Sequence, residues 1–312
     1  MENSTQIIVV GSHAPGFSMR VPRPPKIGET VIGWDFQQPM DGGKGSNQAI
    51  AASRLGARVS FVGCLGRDVI GNEGKRWMTE SGVDVSWLKQ IEGVSTGAGF
   101  ILLDTIGDCA LVTSMGANAN LTSDYVEQAI SNMPSASIVI TQFEIPPQVA
   151  MHAVEVAHKL KMKTILNPAP VPDDLKLDMQ SVSILIPNEI EAKMLLKLDE
   201  EIRIQPSIIA EMLFKESGAE CVIITLGEKG VVGYDAVGSW MVEPTKVSLV
   251  DALGAGDEFC AALSVGIVNG KNIREASRWA SAVAALSVTK QGTIPAFPTL
   301  AEVQEFLSKN VN

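Results

Sequence analysis

Helix-like and strand-like segments alternate regularly from Leu121 onward. Apolar runs typical of buried strands lie at about 137–141, 163–166, 183–187 and 221–225. Segments with the 3.6-residue period of amphipathic helices lie around them, at about 123–132, 147–160, 189–197 and 207–217. Strands that alternate with helices pair in parallel through right-handed crossovers. We therefore predict an α/β fold with one doubly wound, mainly parallel sheet that helices flank on both faces.

Two segments, at about 17–40 and 94–114, interrupt this alternation because they carry strand-like patterns without crossover helices. The second contains two runs, 97–104 and 109–114, that indicate a hairpin. We predict a small β-sheet lid over the ligand crevice of a single domain spanning 1–312, with two surface hairpins as the alternative. An apolar face on an outlying sheet needs a cover, so we expect a homodimer formed through the lid.

Composition narrows the choice of partners. The 312 residues are 46% apolar, which supports a full core, and the net charge is −10 with no basic tract. Nucleic acid and anionic membrane surfaces are therefore poor candidate partners. No apolar run reaches the roughly 18 residues of a spanning helix, and the start MENSTQIIVV has no signal pattern. Four scattered cysteines without a C-x-x-C pair favour a reducing, cytoplasmic location over disulfides or zinc.

The stretch Asp251–Asp257, DALGAGD, is the strongest candidate site, and it leads into an apolar helical run. The first N–H groups of a helix have no intrahelical partner, and together with the helix dipole they favour an anion. A carboxylate beside such a turn fits phosphoryl transfer. Asp257 would take the proton of an attacking hydroxyl, while Gly254, Ala255 and Gly256 hold the phosphoryl group. An ordinary turn with a helix N-terminal Asp explains these residues equally well.

A second glycine-rich turn, Gly42-Gly43-Lys44-Gly45, precedes another helical pattern. It lacks the Walker pattern, because Gly45 stands where Ser or Thr is needed and Gln38 where the first Gly should be. No Gly-x-Gly-x-x-Gly follows the first strand either, so a Rossmann dinucleotide site is poorly supported. Two interpretations are left: the glycines begin a helix that carries one cation, Lys44, in its first turn, or the segment is a plain turn.

Two further turns follow strand patterns. Asn188 and Glu191 lie three residues apart, so they share one face of a helix's first turn. A carboxylate there could hold water around Mg²⁺, although an Asn cap with a helix-stabilising Glu is the simpler account. The glycines of Thr225–Gly230, TLGEKG, permit close backbone approach to a flat or anionic ligand, and a plain loop is the alternative.

The order of these motifs resembles the ribokinase branch of the PfkB sugar kinases over essentially the whole chain. The motifs are Asp41–Gln48 (DGGKGSNQ), Asn167–Pro170 (NPAP), Pro187–Glu191 (PNEIE), Thr225–Gly230 (TLGEKG) and Asp251–Asp257 (DALGAGD). The resemblance implies a doubly wound α/β core with a β-sheet lid that often pairs between two subunits. It also implies transfer of the γ-phosphoryl group of ATP to the primary (5-) hydroxyl of a ribose-like pentose.

The resemblance assigns roles residue by residue. Asp257 is the implied general base, and Gly254, Ala255 and Gly256 are the implied anion hole. The implied sugar contacts are Gly42, Gly43, Lys44 and Asn47, with Glu144 nearby. The implied nucleotide contacts are Asn188, Glu191, Thr225, Leu226, Gly227, Gly230, Gly256 and Ser281, with Glu191 also organising Mg²⁺ through water. A monovalent cation, K⁺, is implied to bind Asp251 and the carbonyls of Leu253, Ser287, Lys290 and Gly292.

Several positions depart from the family pattern. Ala14 and Gly16 stand where the family has an Asn and an Asp that bind ribose hydroxyls. A buried hydroxyl without its partner costs roughly 1–3 kcal/mol. Either His13 or Asp41 takes over the hydroxyls, or the substrate is a deoxysugar, or it is a bulkier nucleoside. Ala252 and Glu258 replace the usual Thr residues beside the anion hole, and Ala296 replaces a Ser that often assists the cation, so K⁺ is an optional cofactor.

Functions of other classes stay open on sequence grounds. A sugar-binding sensor on the same fold, without turnover, would tolerate the losses at Ala14 and Gly16, but it would not need Asp257 or the Gly-Ala-Gly turn. A nicotinamide dehydrogenase would need the glycine fingerprint that this sequence lacks. An ATP-dependent sugar kinase is the leading hypothesis, with a deoxyribose or nucleoside kinase as the runner-up.

Overall fold

The computed structural model describes residues 6–37, 41–105, 109–176, 178–199 and 201–310. Its strands are β1 (Ile7–Val10), β2 (Gly16–Arg20), β3 (Trp34–Gln37), β4 (Val59–Gly66), β5 (Asp84–Ile91), β6 (Ala98–Leu103), β7 (Cys109–Ser114), β8 (Ile138–Gln142), β9 (Lys163–Asn167), β10 (Ile184–Leu185), β11 (Cys221–Thr225), β12 (Val231–Asp235) and β13 (Gly238–Val242). Its α-helices are α1 (Lys44–Arg54), α2 (Val69–Glu80), α3 (Ser123–Ser131), α4 (Pro147–Lys159), α5 (Glu189–Leu195), α6 (Pro206–Ser217), α7 (Ala255–Val268), α8 (Ile273–Ser287) and α9 (Leu300–Asn310).

The main sheet has nine strands in the order β13-β12-β11-β10-β9-β8-β1-β4-β5. All neighbours from β5 to β11 pair in parallel, and β12 and β13 add an antiparallel edge. The predicted doubly wound, mainly parallel α/β fold is therefore confirmed. None of the described helices is long and apolar enough to cross a bilayer.

Strand β1 shows why the sheet lies at the centre of the molecule. Its four residues are all buried, and successive side chains point to opposite faces. Ile7 and Val9 join one hydrophobic core with α1, α2, α7, α8 and α9. Ile8 and Val10 join a second core with α3, α4, α5 and α6. A strand covered on both faces needs an apolar residue at every position, which is the pattern that the sequence shows.

The second, smaller sheet has four strands in the order β3-β2-β6-β7. It lies in the two segments, 17–40 and 94–114, for which we predicted helix-free β-structure. β2 pairs in parallel with β6, and β6 pairs antiparallel with β7, as the hairpin pattern indicated. Residues 38–40 and 106–108 lie outside the described part. The extent of the domain and the action of this sheet as a lid stay predictions.

The sequence pattern missed β5, β12 and β13. β5 is an edge strand in which polar and apolar residues alternate from Asp84 to Trp87, because one of its faces meets solvent. β12 and β13 form an antiparallel extension, which carries no crossover helix to mark it. Continuous apolar runs indicate the central strands of a sheet, but they do not indicate edge strands of this kind.

Candidate active site

The candidate site lies where the parallel strands end. The chain leaves β1, β8, β9 and β10 at the same edge of the sheet, and this edge is where open α/β sheets bind ligands. Helices α1 and α7, which pack against each other, begin at this edge with the two glycine-rich turns. Each begins after a glycine at φ 78°, Gly43 for α1 and Gly254 for α7. The two glycine-rich motifs, which lie about 200 residues apart in the sequence, therefore form one crevice.

Asp257 is 6% exposed, and two side chains of α1 fix the orientation of its carboxylate. Asn47 Nδ2 donates to Asp257 Oδ2 at 3.0 Å, and Gln48 Nε2 donates to Oδ1 at 3.0 Å. The donors are themselves held: Gly42 N donates to Asn47 Oδ1 at 2.9 Å, and Gln142 Nε2 donates to Gln48 Oε1 at 2.6 Å. Each Asp257 oxygen keeps accepting capacity, so the carboxylate is an oriented proton acceptor.

The start of α7 offers main-chain N–H groups beside this carboxylate. Ala255 N donates to Ala252 O at 3.3 Å, and Glu258 N donates to Gly254 O at 2.9 Å. Within the described residues, the N–H groups of Gly256 and Asp257 have no protein acceptor, and no side chain caps the helix. A Cβ added to Gly256 would meet nothing within 4 Å. The turn therefore presents donors to open space, as an anion hole requires.

Lys44 lies among three carboxylates. Burial by itself would lower the pKa of Lys44, but the charges of Asp257, Glu144 and Glu191 raise it above its ordinary value. Glu144 Oε2 accepts from Ser12 Oγ at 2.6 Å and from Lys44 N at 2.9 Å. Burial raises the pKa of Glu144, against the Lys44 charge and these hydrogen bonds. Lys44 is thus a cation in electrostatic contact with both the Asp257 side and the Glu191 side of the crevice.

Asp41 occupies the space beside Gly16. Its Oδ1 accepts from Gly43 N at 3.0 Å and from Gly16 N at 3.3 Å, and a Cβ added to Gly16 would lie 2.9 Å from its Oδ2. Burial raises the pKa of Asp41; the two N–H donors act against this shift, and the charge of Asp257 adds to it. A carboxylate is therefore present next to position 16, although it comes from residue 41.

His13 does not reach the crevice, and the expectation that its ring binds sugar hydroxyls is corrected. The ring is 1% exposed, and a Cβ added to Gly74 would lie 2.2 Å from its Nε2. Nδ1 lies 3.0 Å from Ser46 Oγ, which donates to Gly42 O at 2.6 Å, so Nδ1 is the donor of that pair. Burial lowers the pKa of His13 to about 4. Gly74 on α2 leaves space for the ring in the protein interior. No local sequence pattern indicated that His13 would be buried there.

The two motifs assigned to the nucleotide lie side by side. Asn188 forms a bridge with Thr225, and Thr225 N donates to Pro187 O at 3.1 Å. Asn188 and Glu191 form a capping box, with both hydrogen bonds at 2.8 Å. The prediction that Asn188 caps the helix and Glu191 stabilises its first turn is therefore confirmed, and the role of Glu191 at Mg²⁺ stays a prediction. One Glu191 oxygen takes no part in the box.

The loop at Asp251 is tied to a second loop. Asp251 Oδ1 accepts from Leu253 N, and Oδ2 accepts from Gly292 N, each at 3.0 Å. Ser287 O already accepts from Lys290 N at 3.3 Å. In the part of the chain that the structure describes, no three His, Cys, Asp or Glu residues cluster as metal ligands. A cation here would depend on carbonyl oxygens around one carboxylate.

Comparison with known proteins agrees with this geometry. Residues 20–300 match the model of the pfkB family of carbohydrate kinases. The chain belongs to this family. It is 34% identical over 304 residues to the ribokinase of Haemophilus influenzae, covering 96% of this chain and 98% of that one. It is 27% identical over 305 residues to a deoxyribokinase of Salmonella typhimurium, covering 97% and 99%.

A structure of the Arabidopsis thaliana ribokinase complexed with ribose and ATP superimposes with a TM-score of 0.86 at 30% identity, covering 97% of this chain and 99% of that one. This pfkB carbohydrate kinase is therefore a phosphotransferase with an alcohol acceptor. Membership of the family was predicted from motif order, and it is confirmed.

Two residues of the site in this pfkB kinase were not predicted from the sequence. Gln48 and Gln142 are fully buried and form the chain of amides that leads to Asp257. A signal was present, because a polar residue within the apolar strand pattern of β8 requires a partner when it is buried. Ser281 lies partly exposed on α8, and its place at the nucleotide stays a prediction.

Proposed function

We propose that this pfkB kinase transfers the γ-phosphoryl group of ATP to the primary 5-hydroxyl of ribose or a ribose-like pentose, with Asp257 as general base. One observation carries the proposal: a carboxylate oriented by Asn47 and Gln48 lies beside the N–H groups of Gly256 and Asp257, which have no protein acceptor among the described residues. The ribokinases that the chain resembles support ATP as donor and ribose as acceptor.

The reaction needs little beyond positioning and charge stabilisation. The sugar hydroxyl donates to Asp257, its oxygen attacks the γ-phosphorus, and the bond from that phosphorus to the β,γ-bridging oxygen breaks. The proton passes to Asp257, and ADP leaves with the bond's electron pair. Negative charge on the moving phosphoryl group is stabilised by the N–H groups of Gly256 and Asp257 and by the α7 dipole. The Lys44 ammonium adds a nearby positive charge.

The sugar-binding wall is the turn that opens α1. We assign the sugar contacts to Gly42, Gly43, Lys44 and Asn47, with Glu144 behind them. Asp41 replaces the carboxylate that is missing at Gly16, because its Oδ2 has no protein partner in the described part of the chain and lies against that position. This arrangement favours a substrate that keeps its hydroxyls.

Two metal ions are part of the proposal. Mg²⁺ would be held through water by Glu191, whose second oxygen takes no part in the capping box, and it would neutralise charge on the phosphates. A monovalent cation would bind Asp251 with the carbonyls of Leu253, Ser287, Lys290 and Gly292. Because Asp251 already ties both loops together, we expect K⁺ to stimulate turnover without being indispensable.

The nucleotide is assigned to the neighbouring loop. Thr225, Leu226, Gly227 and Gly230 follow β11 next to Asn188, and Ser281 on α8 is assigned to the same ligand. Gly227 and Gly230 have φ values of 59° and 88°, which residues with a side chain rarely adopt.

The described cysteines at 64, 221 and 260 are free and buried, which supports a reducing, cytoplasmic location.

The small sheet supports a homodimer. Phe17 stacks on Phe36 and Phe100, with ring centroids 6.3 and 5.5 Å apart, and Phe100 is paired with Val112. Phe36, Phe100 and Val112 are 55%, 57% and 70% exposed, so this face is apolar and open. The opposite face carries Gly16 toward Asp41. We propose that the open face pairs with a second copy, and light scattering should show a dimer that Phe100→Asp converts to monomers.

The alternative substrate within the family is a deoxysugar or a nucleoside. Ala14 and Gly16 favour it, because neither side chain can bind a sugar hydroxyl. The sensor without turnover is disfavoured by the held Asp257 carboxylate. A screen of ATP consumption separates these functions, with ribose, deoxyribose, other pentoses, hexoses and nucleosides tested with and without K⁺. We expect the highest kcat/KM with ribose. Turnover of nucleosides alone would favour the alternative, and no turnover with any substrate would contradict the proposal.

A further inference from the structure

Helix α1 contacts the proposed general base at one end and a distant segment of the chain at the other. The N-terminal part of α1 supplies Asn47 and Gln48, which orient Asp257. The last residue of α1 is Arg54, a half-buried cation. Its Nη1 donates to the carbonyl oxygen of Ile294 and, at 3.1 Å, to that of Phe297. The helix that holds the general base is therefore also bonded to a distant segment of the chain.

That segment, residues 292–297, is called the anchor segment below. It is a compact turn, because the N–H groups of Ala296 and Phe297 both donate to Thr293 O, at 3.0 and 3.1 Å. Its carbonyls at 294 and 297 accept from Arg54. Thr293 is fully buried, and it belongs to the face of the turn that meets α7.

The anchor segment touches the anion hole directly. A Cβ added to Gly254 would lie 2.2 Å from Thr293 Cγ2 and 3.3 Å from Phe297 Cε1. Gly292 N donates to Asp251 Oδ2, at the start of the anion-hole turn. Gly254 holds φ at 78°, and its conformation sets the direction of the N–H groups that follow. A shift of the anchor segment would move these donors.

A buried carboxyl lies near this arrangement. Glu258 follows Asp257 and is fully buried, and neither of its oxygens has a hydrogen-bond partner among the described residues. Burial raises the pKa of Glu258 well above its ordinary value, the Arg54 charge acts against this shift, and the Asp257 charge adds to it. Burial thus favours the neutral form of Glu258, and Arg54 is held by the two carbonyls of the anchor segment and not by a hydrogen bond to this carboxyl.

We propose that Arg54 is a positioning residue for phosphoryl transfer. By holding the anchor segment against Gly254, it fixes the anion hole relative to the Asp257 carboxylate, which the same helix orients through Asn47 and Gln48. The inference rests on the proposed kinase function and extends it to a residue that touches neither substrate. Its signature is a loss of turnover without a matching loss of substrate binding.

The test compares Arg54→Met and Arg54→Lys with the wild type, measuring kcat, both KM values and thermal stability. Removing a direct oxyanion donor costs about 10²–10³ in rate, so we expect the indirect Arg54→Met to lower kcat about tenfold. Both KM values should stay within about twofold, because ground-state contacts are kept. Affinity for ADP with aluminium fluoride and ribose should fall with kcat, while affinity for ADP alone is kept. Arg54→Lys should recover part of the loss, since an ammonium can bond one carbonyl.

Two control variants sharpen the test. Arg274→Met removes a partly exposed arginine that lies in the first turn of α8 and pairs with Asp235 at 3.6 Å, and it should leave kcat unchanged. Glu258→Gln keeps the size of a side chain whose oxygens have no hydrogen-bond partner among the described residues, so kcat should stay within about twofold of the wild type. A tenfold loss in Glu258→Gln would overturn the proposal, because the carboxyl and not the carbonyl bonds would then set the anion hole.

The remaining outcomes are decisive. An Arg54→Met chain that melts earlier but keeps kcat and fluoride-complex affinity has lost only a structural contact, and it contradicts the proposal. If Arg54→Met does not fold, an undiminished kcat in the folded Arg54→Lys chain contradicts it equally. A wild type without ribose turnover contradicts the proposed function, whereas an active wild type with unaffected Arg54 variants contradicts this inference alone.

Discussion

The starts of α1 and α7 look alike in sequence and differ in what their N–H groups bind. Each helix follows a glycine at φ 78°, which has no side chain that could cap the helix. At α1, the N–H groups of residues 43–46 donate to oxygens of Asp41, Glu144 and Ser12. At α7, those of Gly256 and Asp257 have no protein acceptor in the described chain.

This difference gives the two turns different roles in the proposed site, with the sugar at the start of α1 and the phosphoryl group at the start of α7. The donors of α1 are satisfied by the protein, so that turn is a rigid surface that places Lys44 and Asn47. The donors of α7 are left for a ligand, and an anion is the ligand that suits them. Glycine marks both turns because both need a positive φ, and it does not say which of them binds the phosphoryl group.

The largest effect should follow from removing the proton acceptor at α7. Asp257→Asn keeps the size of the side chain but loses its basicity, so we expect kcat to fall about 10³-fold, within the range for a lost general base. ADP affinity, measured by calorimetry, should stay near that of the wild type. Asp124→Asn is the matched control, because Asp124 also lies in the first turn of a helix, α3. Near-normal turnover in Asp257→Asn would end the proposed mechanism.

The next effect tests the anion hole. Gly254→Ala forces a side chain into φ 78° and places its Cβ 2.2 Å from Thr293 Cγ2, so the N–H donors must move. We expect kcat to fall about 10²-fold, the scale of one lost oxyanion donor, with little change in the KM for sugar. Gly270→Ala is the control, since Gly270 has φ 83° and open space around it. It should cost about 1–2 kcal/mol of stability, the penalty for a side chain in the left-handed region, and leave kcat intact. Equal kcat losses in both variants would refute the anion-hole role.

The corresponding change at α1 should act on binding. Gly43→Ala places a Cβ 2.8 Å from Ala14 N and 3.1 Å from Glu144 Oε2, so it distorts the sugar wall. We expect the KM for ribose to rise about tenfold, with a smaller change in kcat, because ground-state contacts are lost. Steady-state kinetics with varied ribose measures both values. A Gly43→Ala enzyme with the kinetic signature of Gly254→Ala would abolish the distinction between the two turns.

The smallest effect concerns the sugar hydroxyls. Asp41→Asn keeps one oxygen for the N–H groups of Gly16 and Gly43 but presents an amide to the sugar. We expect the KM for ribose to rise about fivefold, the cost of one weakened hydrogen bond. The KM for deoxyribose should change less if the missing hydroxyl is the one that Asp41 binds. An unchanged ribose KM would show that Asp41 serves only the backbone.

The sequence predicted the central sheet, the small sheet and the two glycine turns because each depends on a local pattern. Continuous apolar runs mark central strands, whereas the alternating edge strand β5 and the antiparallel pair β12 and β13 carry weaker signals. The amide chain from Gln142 through Gln48 to Asp257 depends on contacts between residues more than 90 positions apart. Local periodicity contains no information about such contacts.

His13 is a residue whose predicted role was wrong for the same reason, because contacts with residues distant in sequence determine its position. A histidine in the first turn of an α/β protein is a reasonable ligand for a sugar, and nothing near it in sequence says otherwise. Its ring is buried because Gly74, which lies on α2, leaves space for it and because Ser46 supplies an acceptor. Asp41, which sequence analysis offered as the other candidate, lies beside Gly16.

A crystal structure of the protein with ribose, ADP and aluminium fluoride tests the central claim most directly. The account predicts a fluoride within about 3 Å of the N–H groups of Gly256 and Asp257, the distance expected for an occupied oxyanion hole. The ribose 5-hydroxyl should lie between that group and the Asp257 carboxylate. A fluoride bound away from the start of α7, or an Asp257 side chain turned out of the crevice, would contradict the account.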